Sequence, residues 1–456
     1  MRGLSIVTGL CVIGLGLFTL ASSAQAALED ILYEKGIITE EEWTKSKAES
    51  EKAIEEEHQK RDMALEEEHK KVEKTLEEEH KKMDQEFPIS LRYKDGFDLQ
   101  TRDGKFEMKI QGRLQLRYSY DQEGDGFKPQ GPTEFDDKDV SSFRVRRARI
   151  KIGGHGYYPW LKYYVEYDWV SNTMLDYRLD LAKFKWATLR VGQWKIDYNR
   201  ERVDSSGAQQ FVERSIVNSS FTLDRQIGVR LGGHLFEDTP GYLVYNIGVF
   251  TGAGINQKHN DNTNMLYMGR IQWNFLGRDV PFTQSDVHYS ELPIASIAFA
   301  GAHNITDRIK FPTTNSRASD IAGMPVVDGR FEINQGVQEF AFKWNGLSIQ
   351  EEFHVKKVID RSRSSSGTSY GAYAQVGYFP HAVLDIIPRP LEFAYRYAFV
   401  DPAGVLGNHI VREHTVAANW FFAGHRNKLT VDYSHLTQEG GFTPNDRVRV
   451  QWDVSF

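Results

Sequence analysis

The sequence predicts an all-β transmembrane barrel of about sixteen antiparallel strands, preceded by an α-helical coiled-coil stalk. Three observations carry that prediction. From Lys105 onward the period is two: Phe106, Met108, Ile110, Leu114, Leu116 and Tyr118 interleave with Lys105, Glu107, Lys109, Gln111, Arg113, Gln115 and Arg117. Similar stretches recur at Leu161-to-Trp169 and Leu391-to-Phe399, each about ten residues long, as a tilted membrane strand requires. The chain then closes on Val448, Val450, Trp452, Val454 and Phe456, an alternating strand that ends in an aromatic.

Composition fits the same class. Only 40% of the 456 residues are hydrophobic, which excludes a bundle of membrane helices, since each needs about 20 consecutive apolar residues. A barrel alternates lipid-facing with water-facing positions and keeps a low average. The 21 Tyr, 27 Phe and 9 Trp are many for so polar a chain, and interfacial girdles would use them. A soluble β-sandwich also alternates, but it needs neither sixteen lipid-length strands nor a terminal aromatic.

Residues 1–26 read as a secretory signal. Arg2 supplies the positive end, Leu4 to Leu20 the apolar stretch, and Ala24-Gln25-Ala26 the small-residue cleavage site, so the mature chain is expected to begin at Ala27. The single cysteine, Cys11, lies inside this segment, and no disulfide or thiol site is expected beyond it.

Residues 27–87 form the expected stalk and hold 21 acidic and 11 basic residues, whereas residues 88–456 hold 42 acidic and 44 basic. The acidic balance of the whole chain therefore belongs to the stalk. Gly36 stops a first short helix, and Thr39 followed by Glu42 makes a capping box for the next. Three tandem eleven-residue copies follow: AIEEEHQKRDM from Ala53, ALEEEHKKVEK from Ala64 and TLEEEHKKMDQ from Thr75. An eleven-residue repeat makes three turns of about 3.67 residues and predicts a slight right-handed supercoil. One seam runs through Ile54, His58, Arg61, Leu65, His69, Val72, Leu76, His80 and Met83. Its sparse apolar members point to self-association rather than an isolated helix. His58, His69 and His80 share one phase. Histidine titrates near neutrality, which leaves a metal or pH role open beside the simpler reading of solvated side chains next to glutamates. Phe87-Pro88 ends the helix, and 88–104 is read as a connector to the barrel at 105–456.

Sixteen strands are expected to start near residues 105, 143, 160, 175, 187, 226, 241, 264, 293, 335, 347, 369, 390, 411, 428 and 447. Odd-to-even connections run long, as at Asp121 to Ser141, Lys195 to Arg225, Gly252 to Asn262 and Asn304 to Asn334. Even-to-odd ones run short, as at Gly153 to Pro159, Lys185 to Ala187, Asn345-Gly346 and Gly424 to Asn427. Long external loops and short periplasmic turns give this asymmetry. Gly277 to Leu292 departs from it, being long on the short-turn side.

The functional candidates are basic. FRVRRARIKI, Phe143 to Ile152, carries Arg144, Arg146, Arg147, Arg149 and Lys151 and no acid. Ala148, Ile150 and Ile152 point one way, so Arg147, Arg149 and Lys151 point into the lumen. Phe143 and Val145 are out of phase with that set, which predicts a bulge near Arg146-Arg147. A cation facing lipid at mid-depth costs about 2–4 kcal/mol. With Arg113 and Arg117, these side chains are expected to line a pore and favour anions, unless carboxylates on an inward loop absorb them. The candidate constriction loop, Lys195 to Arg225, sets Lys195, Arg200, Arg202, Arg214 and Arg225 against Asp197, Glu201, Asp204, Glu213 and Asp224. A loop of that length is usually functional.

Over roughly Gly96 to Phe456 the chain resembles the phosphate-selective porin O and P family. The stretches that carry the resemblance are FRVRRARI, LRVGQWK at Leu189 to Lys195, FVERS at Phe211 to Ser215, DRQIGV at Asp224 to Val229, YNIGVFTGAG from Tyr245, NWFF from Asn419 and the closing RVRVQWDVSF. The resemblance implies a trimeric porin in the outer membrane of a Gram-negative bacterium, its third external loop folded into the pore and its basic side chains guiding small anions such as phosphate or polyphosphate. It also implies contact with outer-membrane lipid, the stalk in the periplasm, and Phe456 as a signal to the barrel-assembly machinery. The competing reading is a structural tether whose stalk spaces or anchors the envelope. No G-x-S-x-G, H-E-x-x-H or phosphate-binding glycine loop is present, so enzymatic activity is not expected. No cofactor, no metal site and no nucleic-acid partner is assigned.

Overall fold

The computed structural model describes residues 30–86, 89–121, 140–307, 330–402, 409–440 and 444–456. The signal segment with Cys11 and the expected start at Ala27 lie outside them, as does Phe87-Pro88. The chain divides into two compact units, 1–88 and 89–456.

The first unit is dominated by one helix, α1 (Glu40–Glu86, 47 residues). Its start is the expected capping box: the Thr39 N–H donates to Glu42 Oε2 at 3.0 Å and the Glu42 N–H to Thr39 Oγ1 at 3.4 Å. Gly36, at φ +68°, turns the chain just before it. Tyr33 stacks on Trp43 at 4.9 Å, and the Trp43 indole donates to Asp30 at 3.0 Å, so the preceding turn is pinned to the helix.

In the second unit, strands β1 (Ile89–Tyr93) and β2 (Phe97–Thr101) form a hairpin within the stretch expected as a connector. Sixteen strands then follow: β3 (Phe106–Asp121), β4 (Val140–Gly156), β5 (Tyr158–Asp168), β6 (Thr173–Phe184), β7 (Ala187–Lys195), β8 (Arg225–Leu235), β9 (Tyr242–Phe250), β10 (Leu266–Asn274), β11 (Ile294–Thr306), β12 (Phe331–Trp344), β13 (Leu347–Asp360), β14 (Ser365–Tyr378), β15 (Leu391–Asp401), β16 (Val411–Phe421), β17 (Asn427–Gln438) and β18 (Asn445–Ser455). Each pairs antiparallel with its sequence neighbours, and β18 pairs with β3, so the sheet closes on itself. Every expected strand is present, with its start displaced by at most four residues.

The last residue extends the closing ladder. The Gly112 N–H donates to the Phe456 carbonyl at 2.7 Å and the Phe456 N–H returns to Gly112 at 3.1 Å. The Phe456 ring occupies the space a Cβ on Gly112 would need, so glycine lets the ring lie against the strand. At the Asn345-Gly346 turn both φ values are positive, 45° and 81°, the backbone of a tight hairpin matched to strand twist.

The alternation resolves into two faces. Outward side chains such as Phe143, Leu179, Ile247, Phe299 and Phe393 are apolar and exposed. Inward ones such as Gln115, Arg117, Glu339, Glu352, Arg396 and Asp432 are polar and buried. No helix among the described residues is long and apolar enough to cross a membrane.

Two connections fold into the lumen from opposite rims. The loop between β7 and β8 carries two short helices, α2 (Arg200–Val203) and α3 (Ile216–Phe221). Tyr198, Val217 and Phe221 on it are fully buried. The long segment between β10 and β11, which departs from the short-turn pattern, also turns inward. Val280, Gln284, Ser285 and Asp286 are buried on it, and the Gln284 N–H donates to the Ala208 carbonyl at 2.9 Å. The two loops meet where the Arg200 guanidinium donates to the Val280 carbonyl at 3.2 Å and lies 4.8 Å from the Phe282 ring centroid.

Candidate functional site

The β7–β8 loop leans on one half of the barrel. Asn199 donates to Glu352 at 3.0 Å, the Val212 N–H to Asp432 at 2.9 Å, the Ile216 N–H to Glu413 at 2.9 Å and the Gln210 amide to Glu392 at 2.8 Å. Lys356 reaches the Ser220 carbonyl at 3.2 Å. Lys428 donates to the Gln209 carbonyl, so strands β13 to β17 supply carboxylates and two lysines that hold the loop. Inside the loop, Arg214 donates to the carbonyls of Glu201 and Asp204, both at 2.7 Å, and Arg202 donates to Asp224 at 2.7 Å. Arg202 and Arg214 thus brace the loop itself, while Arg200 ties it to the β10–β11 segment.

The opposite half is less filled. A cavity of about 300 Å³ lies between the loop and strands β3 to β8. Seven basic side chains (Arg113, Arg149, Lys151, Arg178, Arg190, Lys195 and Arg225) and three acidic ones (Glu166, Asp176 and Asp197) line it. Arg113 and Lys151 also border a second cavity of about 480 Å³, which reaches Gly207, His288, His425 and Phe456 at the short-turn rim.

Most of these cations are already matched. Arg149 holds Asp168 at 2.7 Å and Glu166 at 3.0 Å. Arg178 and Arg190 share Asp180, at 3.4 and 2.5 Å, and Arg225 holds Asp176 at 2.5 Å. Three cations have no carboxylate within ion-pair distance among the described residues. Arg113 meets only hydroxyls, Ser205 at 3.0 Å, Ser206 at 3.2 Å and Ser455 at 3.3 Å. Lys195 donates to the carbonyls of Asp204 at 3.1 Å and Val203 at 3.4 Å. Lys151 lines both cavities, and its ammonium makes no hydrogen bond or ion pair to a described residue.

The arginine-rich strand is bulged where expected. Gln115 faces Arg147 and Leu116 faces Val145, leaving Arg146 as the extra residue. The bulge lets Arg146 and Arg147 both reach Glu213 of the inward loop, at 2.9 and 3.2 Å, and Arg117 from β3 reaches it at 2.9 Å. One loop carboxylate thus gathers three of the arginines expected to line a pore. Arg144 sits opposite Arg117 on the inward face, nearer the long-loop rim, and is exposed. Residues that sequence reasoning did not single out are Glu166, Asp168, Asp176 and Asp180. Inward phase on β5 and β6 would have placed them, but their role as counter-charges depends on which strands become neighbours.

A closed sixteen-stranded barrel with an apolar outer wall and a charged, loop-narrowed lumen is an outer-membrane porin. The family profile "Phosphate-selective porin O and P" matches residues 110–454. Porin O of Pseudomonas aeruginosa is 24% identical over 317 residues, covering 64% of this chain and 68% of that one. Among solved structures, the anion-selective porin from Comamonas acidovorans superposes with a TM-score of 0.51 at 9% identity, covering 76% of this chain and 99% of that one; at that identity the likeness speaks to the fold. The chain belongs to the phosphate-selective porin O and P family.

Proposed function

We propose that the barrel conducts small anions through the cavity between the inward loop and strands β3 to β8, with phosphate or polyphosphate as the leading solutes. The observation that carries this reading is the trio Arg113, Lys151 and Lys195, cations without carboxylate partners that face one cavity. At an effective dielectric near 20, a unit charge about 4 Å from a cation gains about 4 kcal/mol before desolvation. Three such cations attract an anion, while solvated mouths let it leave, as conduction requires. The family's description as phosphate-selective and the naming of the anion-selective porin agree with an anionic cargo.

In this reading the short-turn rim faces the periplasm, α1 is periplasmic, three copies form the working unit, and Phe456 marks the chain for the assembly machinery. A chain lacking Phe456 should give little heat-modifiable, folded protein; normal yield would remove that role. For the pore, the test is the reversal potential of single channels in a potassium chloride gradient. Lys151→Glu with Lys195→Glu should turn an anion preference toward cations, and the change should shrink as salt is raised past a Debye length of about 8 Å at 0.15 M. A folded double variant that keeps its anion preference at low salt would show that conduction runs elsewhere.

A further inference from the structure

The stretch 88–104 reads as a connector, yet the β1–β2 hairpin within it is built into the wall. β18 leaves β3 at Phe456, which bonds with Gly112. β2 takes up the same edge of β3 just beyond, from Phe97 opposite Ile110 to Gln100 opposite Glu107. The two strands run in line, so β2 pairs the part of β3 that β18 does not reach. Local contacts hold the hairpin there. Gly96, at φ +136°, sits where a Cβ would meet the Ile110 carbonyl oxygen at 2.6 Å. Asp95 in the same turn accepts from Arg426 through its carboxylate and from Gln111 through its carbonyl.

Register decides which side chains face outward. Tyr93 stands opposite Phe97, Phe97 opposite Ile110, Ile110 opposite Ile152 and Ile152 opposite Val165. Nearer the rim, Leu91 stands opposite Leu99 and Leu99 opposite Met108. The apolar rows of the outer wall thus run onto the hairpin without a break. Leu91 and Tyr93 are 65% and 59% exposed, close to the wall residues Ile247 at 61% and Leu179 at 54%. Ser90, Arg92, Asp98 and Gln100 alternate with these residues and take the other face, where Asp98 stands opposite Lys109.

The free edge sets the depth. Among the described residues β1 pairs only with β2, and an open strand edge does not lie within hydrocarbon. The edge needs water or headgroups beside it, while the outward face offers aliphatic side chains and rings. The boundary between headgroups and acyl chains meets both needs. Aromatic pairs gather along this rim: Tyr93 with Phe97 at 5.5 Å, Phe106 with Tyr157 at 5.0 Å and Tyr158 with Trp160 at 5.0 Å. Such rings favour the membrane–water boundary.

We propose that the β1–β2 hairpin lies in the headgroup boundary of the periplasmic leaflet, its apolar face toward the acyl chains, and anchors the chain to the bilayer beside the line where the barrel closes. A second copy of the chain is the rival occupant of this face, and the unbroken continuation of the lipid-facing rows favours lipid. The inference rests on the outer-membrane reading of the barrel and not on the solute it conducts.

The test places nitroxide labels on Leu91→Cys and Leu99→Cys in the full-length protein, in liposomes of phosphatidylethanolamine and phosphatidylglycerol. Collisions with oxygen and with a water-soluble nickel complex report the surroundings of each label. Unmutated protein carried through the labelling gives the blank for Cys11. Both labels should favour oxygen over nickel several-fold more than a label on Arg92→Cys, and should approach one on Leu179→Cys in the wall. Leu91 and Leu99 labels that meet nickel as freely as the Arg92→Cys label, with the Leu179→Cys label still in lipid, would overturn the anchor and leave the barrel reading intact. Spin–spin broadening at Leu91→Cys that vanishes on dilution with unlabelled protein would give the face to a second copy and overturn it equally. A Leu179→Cys label in water would overturn the outer-membrane reading and this inference with it.

Discussion

On the β10–β17 side of the lumen, basic side chains end on protein: Arg270 on Glu339 at 2.7 Å, Arg396 on Glu413, and Lys343 on the Ser285 carbonyl at 3.0 Å. On the β3–β8 side, Arg113, Lys151 and Lys195 meet hydroxyls, carbonyls or no described group, and a cavity of about 300 Å³ opens beside them. Both walls are built from inward residues of alternating strands, and both are rich in charge. They differ in what reaches them. The two inward loops pack against the first wall, so its charges act as fasteners. The second wall meets the β7–β8 loop only in part, at Glu213, Ser205 and Ser206, and otherwise borders the cavity, so its surplus cations are available to a solute. The lesson is that an inward arginine reports the lumen, and only its partner reports whether it binds protein or cargo.

The largest expected contrast is in stability. Arg270→Ala leaves Glu339 buried without its bidentate partner, and removing one member of a buried pair costs about 3–5 kcal/mol. Lys151→Ala removes a cation with no protein partner, so the folded barrel should lose less than about 1 kcal/mol. Urea unfolding of the two variants in the same lipid or detergent compares them. Equal losses would erase the distinction between the walls.

A smaller effect is expected from Glu213→Gln, because Glu213 is where the fastening loop touches the arginine strand. Neutralising it leaves Arg117, Arg146 and Arg147 with one fewer carboxylate. Anion preference in bi-ionic reversal potentials should rise, and open-channel noise should rise with it as the loop loosens. Unchanged selectivity would mean these three arginines lie off the conduction path.

The mildest prediction is a pH dependence of the fastening side. Burial, opposed by Arg396 and reinforced by Glu352, pushes the Glu201 carboxyl up from 4.5 to about 7. The folded loop then holds a proton that the unfolded chain gives up near 4.5, so loop anchoring weakens as pH rises from about 4.5 toward 7 and levels off above that. Current fluctuations of wild-type channels should grow over this window and stay flat in Glu201→Gln. Identical pH profiles would show that Glu201 does not govern the loop.

The sequence by itself determined the barrel, its strand number and most strand starts, because a water-facing and a lipid-facing side impose a period of two over sixteen lipid-length stretches, more than a sandwich needs. It determined the capping box at Thr39 and the bulge at Arg146, since cap spacing and a break of phase are local. It also determined that Arg117, Arg147 and Arg149 turn inward, as lipid would penalise them. Only the tertiary structure decided which of those charges remain available. Glu213 is 66 residues from Arg147, and no local pattern says that a loop folds back to meet it. Likewise, the stretch from Gly277 to Leu292 stood out only by its length, and closure of the sheet was needed to turn it into the lumen beneath the loop from above. Ion pairing is a property of distance in space, and distance in space is set by which strands become neighbours and which loops enter the ring they enclose.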